Sequence, residues 1–328
     1  MRRVAVTGVS GYIGTQLVQR LDAHPDVEAI IGLDVRPPTA QSKKLRFYKQ
    51  DVAAPLGGIF AKEQVDAVMH LAFVVRPVRN QTRARQANVL GSHNVIHECR
   101  EAGIHQVVYL GSTAAYGAHK DNSIPLTEES PLRPNRRFQY SRDKAEVDQM
   151  FQSYSKSVPE ADITILRSCV VMGPGGTQAV GAKMFRRMMV RLAGRDPQMQ
   201  YVHEDDLVDV LVRCLEKRPR GVYNVAGDGT LTYTNVARLA RRRMISVPRR
   251  LLAALMNVGW LLRFQNESTS AGLDFIAYPW VADNTALKKA LAFEYRHTSE
   301  DAIRDYAEEV EAQRLAAKGR KKDKKSSA

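Results

Sequence analysis

The sequence predicts an α/β protein: a doubly wound parallel sheet followed by a smaller, mostly helical C-terminal lobe for the substrate. Three observations predict it. Short apolar runs alternate with longer amphipathic stretches through the first two-thirds of the chain, which is the pattern of βαβ units. The first apolar run enters a turn holding Gly8, Gly11 and Gly14, and the second ends in an acidic residue, Asp34, 20 positions after Gly14. With 328 residues and 44% hydrophobic composition the chain has ample material for one large α/β unit or two associated ones.

Arg3 to Thr7 reads as the first strand, and Thr7-Gly8-Val9-Ser10-Gly11-Tyr12-Ile13-Gly14 follows it with the spacing G-x-x-G-x-x-G. Glycine permits the tight strand-to-helix turn, lets the main chain approach a pyrophosphate, and allows a helix to pack closely on a sheet. The helix expected over Tyr12 to Asp22 then offers unpaired N–H groups to phosphate. A turn needing glycine for steric reasons alone would read the same way. The second strand, Ala29 to Asp34, supplies the context: a carboxylate there accepts hydrogen bonds from both ribose hydroxyls of an adenosine and repels a 2′-phosphate. NAD is therefore expected over NADP, with Arg36, Lys43 and Lys44 close enough to soften the preference. Arg46 to Asp51 is the third strand, and Asp51 with Val52 either holds the adenine or serves a turn.

A helix over Gly58 to Gln64, a strand over Ala67 to Leu71 and a helix over Arg83 to Ala102 come next. Arg76, Arg79, Arg83 and Arg85 read as phosphate recognition or as a solvated face. The strand Gln106 to Leu110 runs into Gly111-Ser112-Thr113-Ala114-Ala115-Tyr116-Gly117, placing the Ser112 hydroxyl at the carboxyl edge of the sheet. In the helix Ser141 to Ser157, the opening Tyr140-Ser141-Arg142-Asp143-Lys144 puts a phenol and an ammonium at i and i+4, on one face. A phenol ordinarily ionises near pH 10, so acid/base work near neutrality needs its anion stabilised, which a lysine cation does. Ile163 to Arg167 is the sixth strand. Beyond it lie Gly173-Pro174-Gly175-Gly176, a helix expected over Lys183 to Leu192, and a strand, Gly221 to Ala226, expected to rejoin the sheet. The boundaries expected are a nucleotide-binding domain over 1–168, a substrate lobe over 169–315 and a basic, frayed tail over 316–328.

Taken together, these motifs resemble those of the extended short-chain dehydrogenase/reductases, the group that includes NAD-dependent sugar-nucleotide epimerases and dehydratases and the 3β-hydroxysteroid dehydrogenases. Besides the glycine turn and the Ser112 and Tyr140-to-Lys144 stretches, the carrying motifs are His70-Leu71-Ala72, Asn88-Val89-Leu90-Gly91, Leu166-Arg167 with Gly173-Pro174, Tyr201 to Asp206 and Gly221 to Ala226, with an echo near Asn284 to Phe293. The resemblance implies a Rossmann-type fold, bound NAD, and hydride transfer at a carbinol carbon. It implies Tyr140 as acid/base, Lys144 on the ribose and Ser112 on the substrate oxygen. Cofactor contacts are expected from Gly8, Gly11, Tyr12, Ile13, Gly14, Asp34, Asp51, Val52, Leu71, Ala72, Tyr140, Lys144 and Ser168, and substrate contacts from Ser112, Val170 and His203. Sugar-nucleotide enzymes commonly carry an asparagine where this chain has Val170. That departure favours a hydrophobic, sterol-like alcohol or ketone; a sugar-nucleotide epimerase or dehydratase is the alternative, and an idle nucleotide-binding or RNA-associated protein the second.

Composition narrows the field further. The three cysteines, Cys99, Cys169 and Cys214, form no C-x-x-C pair, so a disulfide framework and a thiolate zinc site are not expected. His93 and His97 lack a third ligand, and no metal is expected. Neither a signal peptide nor a membrane span is read, so a reducing, cytoplasmic setting is expected. The net charge is +14, part of it in the tail from Lys318 to Lys325. Nucleic-acid or membrane-surface contact is left to that tail or to the apolar stretch 249–264, which at 12 residues between arginines is too short to span a bilayer. The arginines at 238, 241, 242, 243, 249 and 250 lack interleaved aromatics for RNA and read as a solvated or subunit-facing surface. A small-molecule substrate and a homodimer are the partners expected.

Overall fold

The structure is a computed structural model that describes residues 1–75, 79–178, 188–264 and 269–326. In chain order the first half comprises β1 (Arg2–Thr7), α1 (Tyr12–Asp22), β2 (Val27–Asp34), β3 (Leu45–Lys49), α2 (Ile59–Lys62), β4 (Ala67–His70), α3 (Gln81–Arg85), a π-helical turn (Gln86–Leu90), α4 (Gly91–Glu101), β5 (Gln106–Ser112), α5 (Gln139–Ser157) and β6 (Asp162–Ser168). The second half comprises β7 (Val170–Met172), β8 (Met188–Leu192), β9 (Gln198–Met199), β10 (Tyr201–His203), α6 (Glu204–Lys217), β11 (Gly221–Val225), β12 (Leu231–Thr232), α7 (Tyr233–Leu239), β13 (Arg243–Val247), α8 (Arg249–Leu261), α9 (Thr285–Leu291) and α10 (Ser299–Ser326).

Seven parallel strands form the central sheet in the order β11-β6-β5-β4-β1-β2-β3. Successive side chains point to opposite faces, and both faces are covered. Val4 and Val6 pack with Leu17, Leu21, Leu207 and Leu211 of α1 and α6 on one side. Ala5 and Val107 pack with Val95, Val147 and Phe151 of α4 and α5 on the other. Burial on two faces is why these strands read as continuous apolar runs rather than alternating ones. Strand β11 reaches the sheet from beyond the lobe's first elements and pairs with β6, Val225 opposite Ser168.

Several expectations change. The third strand ends at Lys49, leaving Asp51 in the turn beyond it. The helix expected over Arg83 to Ala102 is interrupted at the π turn, where the Asn88 carboxamide leaves its own helix to bind the Val74 main chain and Asp143. Of the helix expected over Lys183 to Leu192, residues 183–187 lie outside the described residues and Met188–Leu192 is a strand paired with β13. The lobe, helical for the most part, also holds among its described residues three two-stranded sheets, β10 with β7, β12 with β9, and β13 with β8. Runs this short carry little periodicity, and their partners lie far along the chain. The tail expected to fray is helical to Ser326, a continuation favoured by strong helix formers such as Leu315, Ala316 and Ala317.

Candidate active site

The sheet reverses its winding between β1 and β4, and ligands of open α/β sheets bind beyond the carboxyl ends of the strands at such a point. Here those ends carry the glycine turn and Leu71-Ala72. Gly8 has φ +75°, and a side chain on it would come within 2.7 Å of the Ala72 amide nitrogen. One on Gly14 would run into the Gly8 carbonyl oxygen, so helix and turn pack with no room for a Cβ. Helix α1 begins at Gly11 with no side-chain cap and no acid in its first turn, leaving its amides for an anion. Beneath the turn, Thr7 Oγ1 meets His70 Nδ1 at 2.7 Å, His70 Nε2 meets Ser92 Oγ at 2.9 Å, and Ser92 donates to the Asn88 carbonyl. Burial pushes the His70 imidazole down to about 3, so it stays neutral and acts as a brace.

Asp34 stands at the lip of this cradle. Its carboxylate accepts the Ser10 amide at 3.1 Å and the Arg36 amide at 3.0 Å, which fixes it against the glycine turn. The bare amides, the absent Cβ atoms and this carboxylate fit the pyrophosphate and ribose of NAD. Asp34→Ala is expected to weaken NAD binding about tenfold or more relative to NADP, the loss of hydrogen bonds to a charged acceptor. Calorimetric titration of both dinucleotides checks this; an unchanged ratio would show that Asp34 does not discriminate.

At the end of β5, the Ser112 hydroxyl accepts the Ala114 amide at 3.2 Å and stands near enough to the Tyr140 phenol to favour its ionisation. Ser141 ties the start of α5 to the same turn, donating to the Ala114 carbonyl at 2.6 Å and accepting the Asn135 amide at 3.1 Å. One helical turn on, the Lys144 ammonium donates to the Leu110 carbonyl at 2.8 Å and lies 3.7 Å over the Phe73 ring. Burial lowers its pKa to about 7, with the Asp148 carboxylate acting in the opposite direction. Tyr140 is raised by burial, and the Ser112 hydroxyl acts to lower it. The free protein thus holds a protonated phenol beside an ammonium that is easily discharged.

Two cavities open here. Tyr140, Asn88, Asp143, Phe138 and Trp260 line one of about 60 Å³. The other, about 750 Å³, is lined by Arg133, Arg136, Arg137, Arg249, His119 and Asp274 among others, and Arg137 belongs to both. Arg133 is engaged with Asp121 and Asn122, and Arg249 with Asp274.

Residues 4–226 match the NAD dependent epimerase/dehydratase family. The chain belongs to that family. It is one of enzymes, which agrees with NAD as cofactor and with the expected likeness to extended short-chain dehydrogenase/reductases. A UDP-glucose 4-epimerase of Mycolicibacterium smegmatis is 27% identical over 323 residues, covering 91% of this chain and 100% of the relative. That of Pasteurella multocida is 32% identical over 177 residues, covering 50% of this chain and 52% of the relative. An uncharacterised protein of Mycobacterium tuberculosis is 24% identical over 314 residues, covering 92% and 82%. Among solved structures, a UDP-glucose 4-epimerase of Thermotoga maritima superposes with a TM-score of 0.73 at 18% identity, covering 95% of this chain and 99% of that one. The NDP-hexosamine 5,6-dehydratase TunA does so with 0.74 at 21%, covering 95% and 98%. At these identities the structures establish the family's fold.

The expected site residues divide into two groups. Gly8, Gly11, Gly14, Asp34, Leu71 and Ala72 surround the turn; Ser112, Tyr140 and Lys144 meet beside it, with Ser168 opposite Ser112 across the strand pair. Ile13 is 9% exposed and packs in the core. The Tyr12 hydroxyl is bound to Glu204, which also accepts the Gly175 amide. Asp51 takes the Ala53 amide, and Val52 is buried against Gly91, so both hold the turn. Val170 and His203, expected at the substrate, line neither cavity. Val170 packs against the Met172 and Tyr201 cluster of the lobe. His203 accepts the Asp205 amide through Nδ1 and stacks on His297 at 3.9 Å, at the end of a strand where it pairs with Met172. Arg85 pairs with Glu146 and Asp143 instead of awaiting a phosphate, and Arg76 lies outside the described residues. Phe73 and Arg137 went unnoticed as site residues: Phe73 meets the Tyr140 ring edge-on, and Arg137, three residues before Tyr140, lines the same cavity.

Proposed function

We propose that the chain oxidises a carbinol carbon of a nucleoside-diphosphate-sugar type of anion, within an epimerase or dehydratase cycle in which Tyr140 is acid and base. The observation that carries this reading is that Tyr140, with Lys144 one helical turn on and Ser112 at the end of β5, lines a cavity together with Arg137, which also lines a second, arginine-rich cavity. What supports an anionic substrate over the sterol-like one is that lining, together with sugar-nucleotide enzymes among the relatives. Recognition of the diphosphate falls to guanidinium groups, which bind phosphate in bidentate fashion.

NAD held at the glycine turn and Asp34 would supply a hydride acceptor and a positive charge that favours the phenolate. Ser112 donates to the substrate oxygen and orients it. As phenolate, Tyr140 takes the substrate hydroxyl proton as the C–H bond breaks, and as phenol it returns that proton when the carbonyl is reduced. Lys144, below its pKa, stabilises the phenolate. Phe73 covers the ammonium and keeps water from it.

Arg137→Ala is expected to raise the KM for UDP-glucose about 10- to 100-fold, the loss of a hydrogen bond to a charged group, while kcat stays within about threefold because the acid/base groups are untouched. Following UDP-galactose formation measures both. An unchanged KM would remove the anionic reading and restore the apolar alcohol.

A further inference from the structure

Helix α8 presents an apolar surface that the rest of the protein leaves bare. Leu252, Ala253 and Met256 pack inward on Leu192, Leu273 and Ala277. The opposite face carries Leu251, Leu255, Val258 and Leu262, each more than half exposed, at the i, i+4, i+7 and i+11 positions of one stripe. Leu261 and Phe264 extend it, at 76% and 84% exposure. Single exposed leucines are ordinary, but a continuous stripe of this kind marks an interaction surface.

Charge identifies the partner. From Gly229 to Asn266 the chain has seven arginines and no acidic residue; Arg241 is paired with Glu311 and Arg249 with Asp274 from other parts of the chain. Arg249 and Arg250 stand at one end of the stripe and Arg263 at the other. We propose that this face lies in the headgroup region of an anionic lipid bilayer, as a helix parallel to the membrane plane. Leucines and a phenylalanine on one side with basic residues at the ends is the composition of an interfacial helix. No described helix is long and apolar enough to cross a membrane, so α8 would rest on the surface. A second copy of this chain fits less well. A two-fold axis through the middle of α8 would set Arg249 and Arg250 of one copy against Arg263 of the other, like charge against like.

The position gives this contact a use. Trp260, near the end of α8, lines the cavity that holds Tyr140, and Arg79 both stacks on its ring at 4.7 Å and donates to its carbonyl. A bilayer under α8 would therefore lie beside the mouth of the active site.

Sedimentation of the full chain with vesicles tests the proposal. Binding is expected to phosphatidylglycerol-containing vesicles and to be lost on pure phosphatidylcholine. Leu255→Glu with Val258→Glu, both on the exposed face, should abolish it with an unchanged circular dichroism spectrum. Arg250→Ala with Arg263→Ala should weaken it about fivefold per arginine. Absence of binding, equal binding to both lipids, or full binding by the glutamate variant would overturn the proposal, the last by assigning the contact to the basic end of α10. Sedimentation velocity supplies the remaining arm: a dimer that the glutamate variant breaks would make the occupant a second copy.

Discussion

Tyr140→Phe is expected to lower kcat about 100- to 10,000-fold, the usual contribution of a positioned general acid/base. The change is clean because the ring stays where it is. Phe73 meets it edge-on at 5.8 Å and Phe138 at 6.0 Å, and a phenyl group preserves both contacts. Ser112 keeps the Ala114 amide, and the anchoring of α5 through Ser141 is unaffected. Only the ionisable oxygen goes. Lys144→Met should act in the same direction, since the remaining phenol lacks its cation. In the free protein that cation is itself lost as pH rises through about 7. Steady-state turnover with circular dichroism as the folding check measures the effect. Turnover within about tenfold of the native protein would remove Tyr140 from the acid/base role.

Asp148→Ala is expected to destabilise the fold by about 3–5 kcal/mol, the consequence of leaving a buried charge without its partner. Arg167 donates to the two carboxylate oxygens of Asp148 at 2.8 and 2.9 Å, and the two side chains are 3% and 0% exposed. The guanidinium also donates to the Tyr116 hydroxyl at 2.8 Å and the Glu128 carbonyl at 3.0 Å, and Tyr116 donates to Asn224 at 2.7 Å. This network joins β6, α5 and β11 behind the site, so the loss cannot be relieved by moving one side chain. The unfolding midpoint in urea measures it; a change below about 1 kcal/mol would mean that water reaches Arg167. A second consequence has a fixed sign. The Asp148 carboxylate raises the pKa of Lys144, so removing it should lower the pH at which the ammonium discharges.

Much of the site was legible in the chain. Helix α1 occupies the residues its periodicity predicts, Tyr12–Asp22, and the acid at the end of β2 stands where the glycine turn needs it. These features depend on neighbours within a turn or on a strand end a short way off. The place of His203 depends on more distant neighbours. Its motif marks the end of a strand and the cap of a helix, and whether such a residue faces substrate depends on β10 pairing with β7 inside the lobe. Arg137 precedes Tyr140 by three residues, but only the fold shows that it lines the same cavity.

By itself the sequence determined the doubly wound sheet, the dinucleotide turn and the Tyr140–Lys144 pair, because backbone freedom at glycine and the helical repeat are properties of adjacent residues. Tertiary structure alone decided that Lys144 is buried over Phe73, that Arg137 shares a cavity with Tyr140, and that one face of α8 is left bare. Desolvation and exposure belong to no residue; they arise from what distant parts of the chain bring against it.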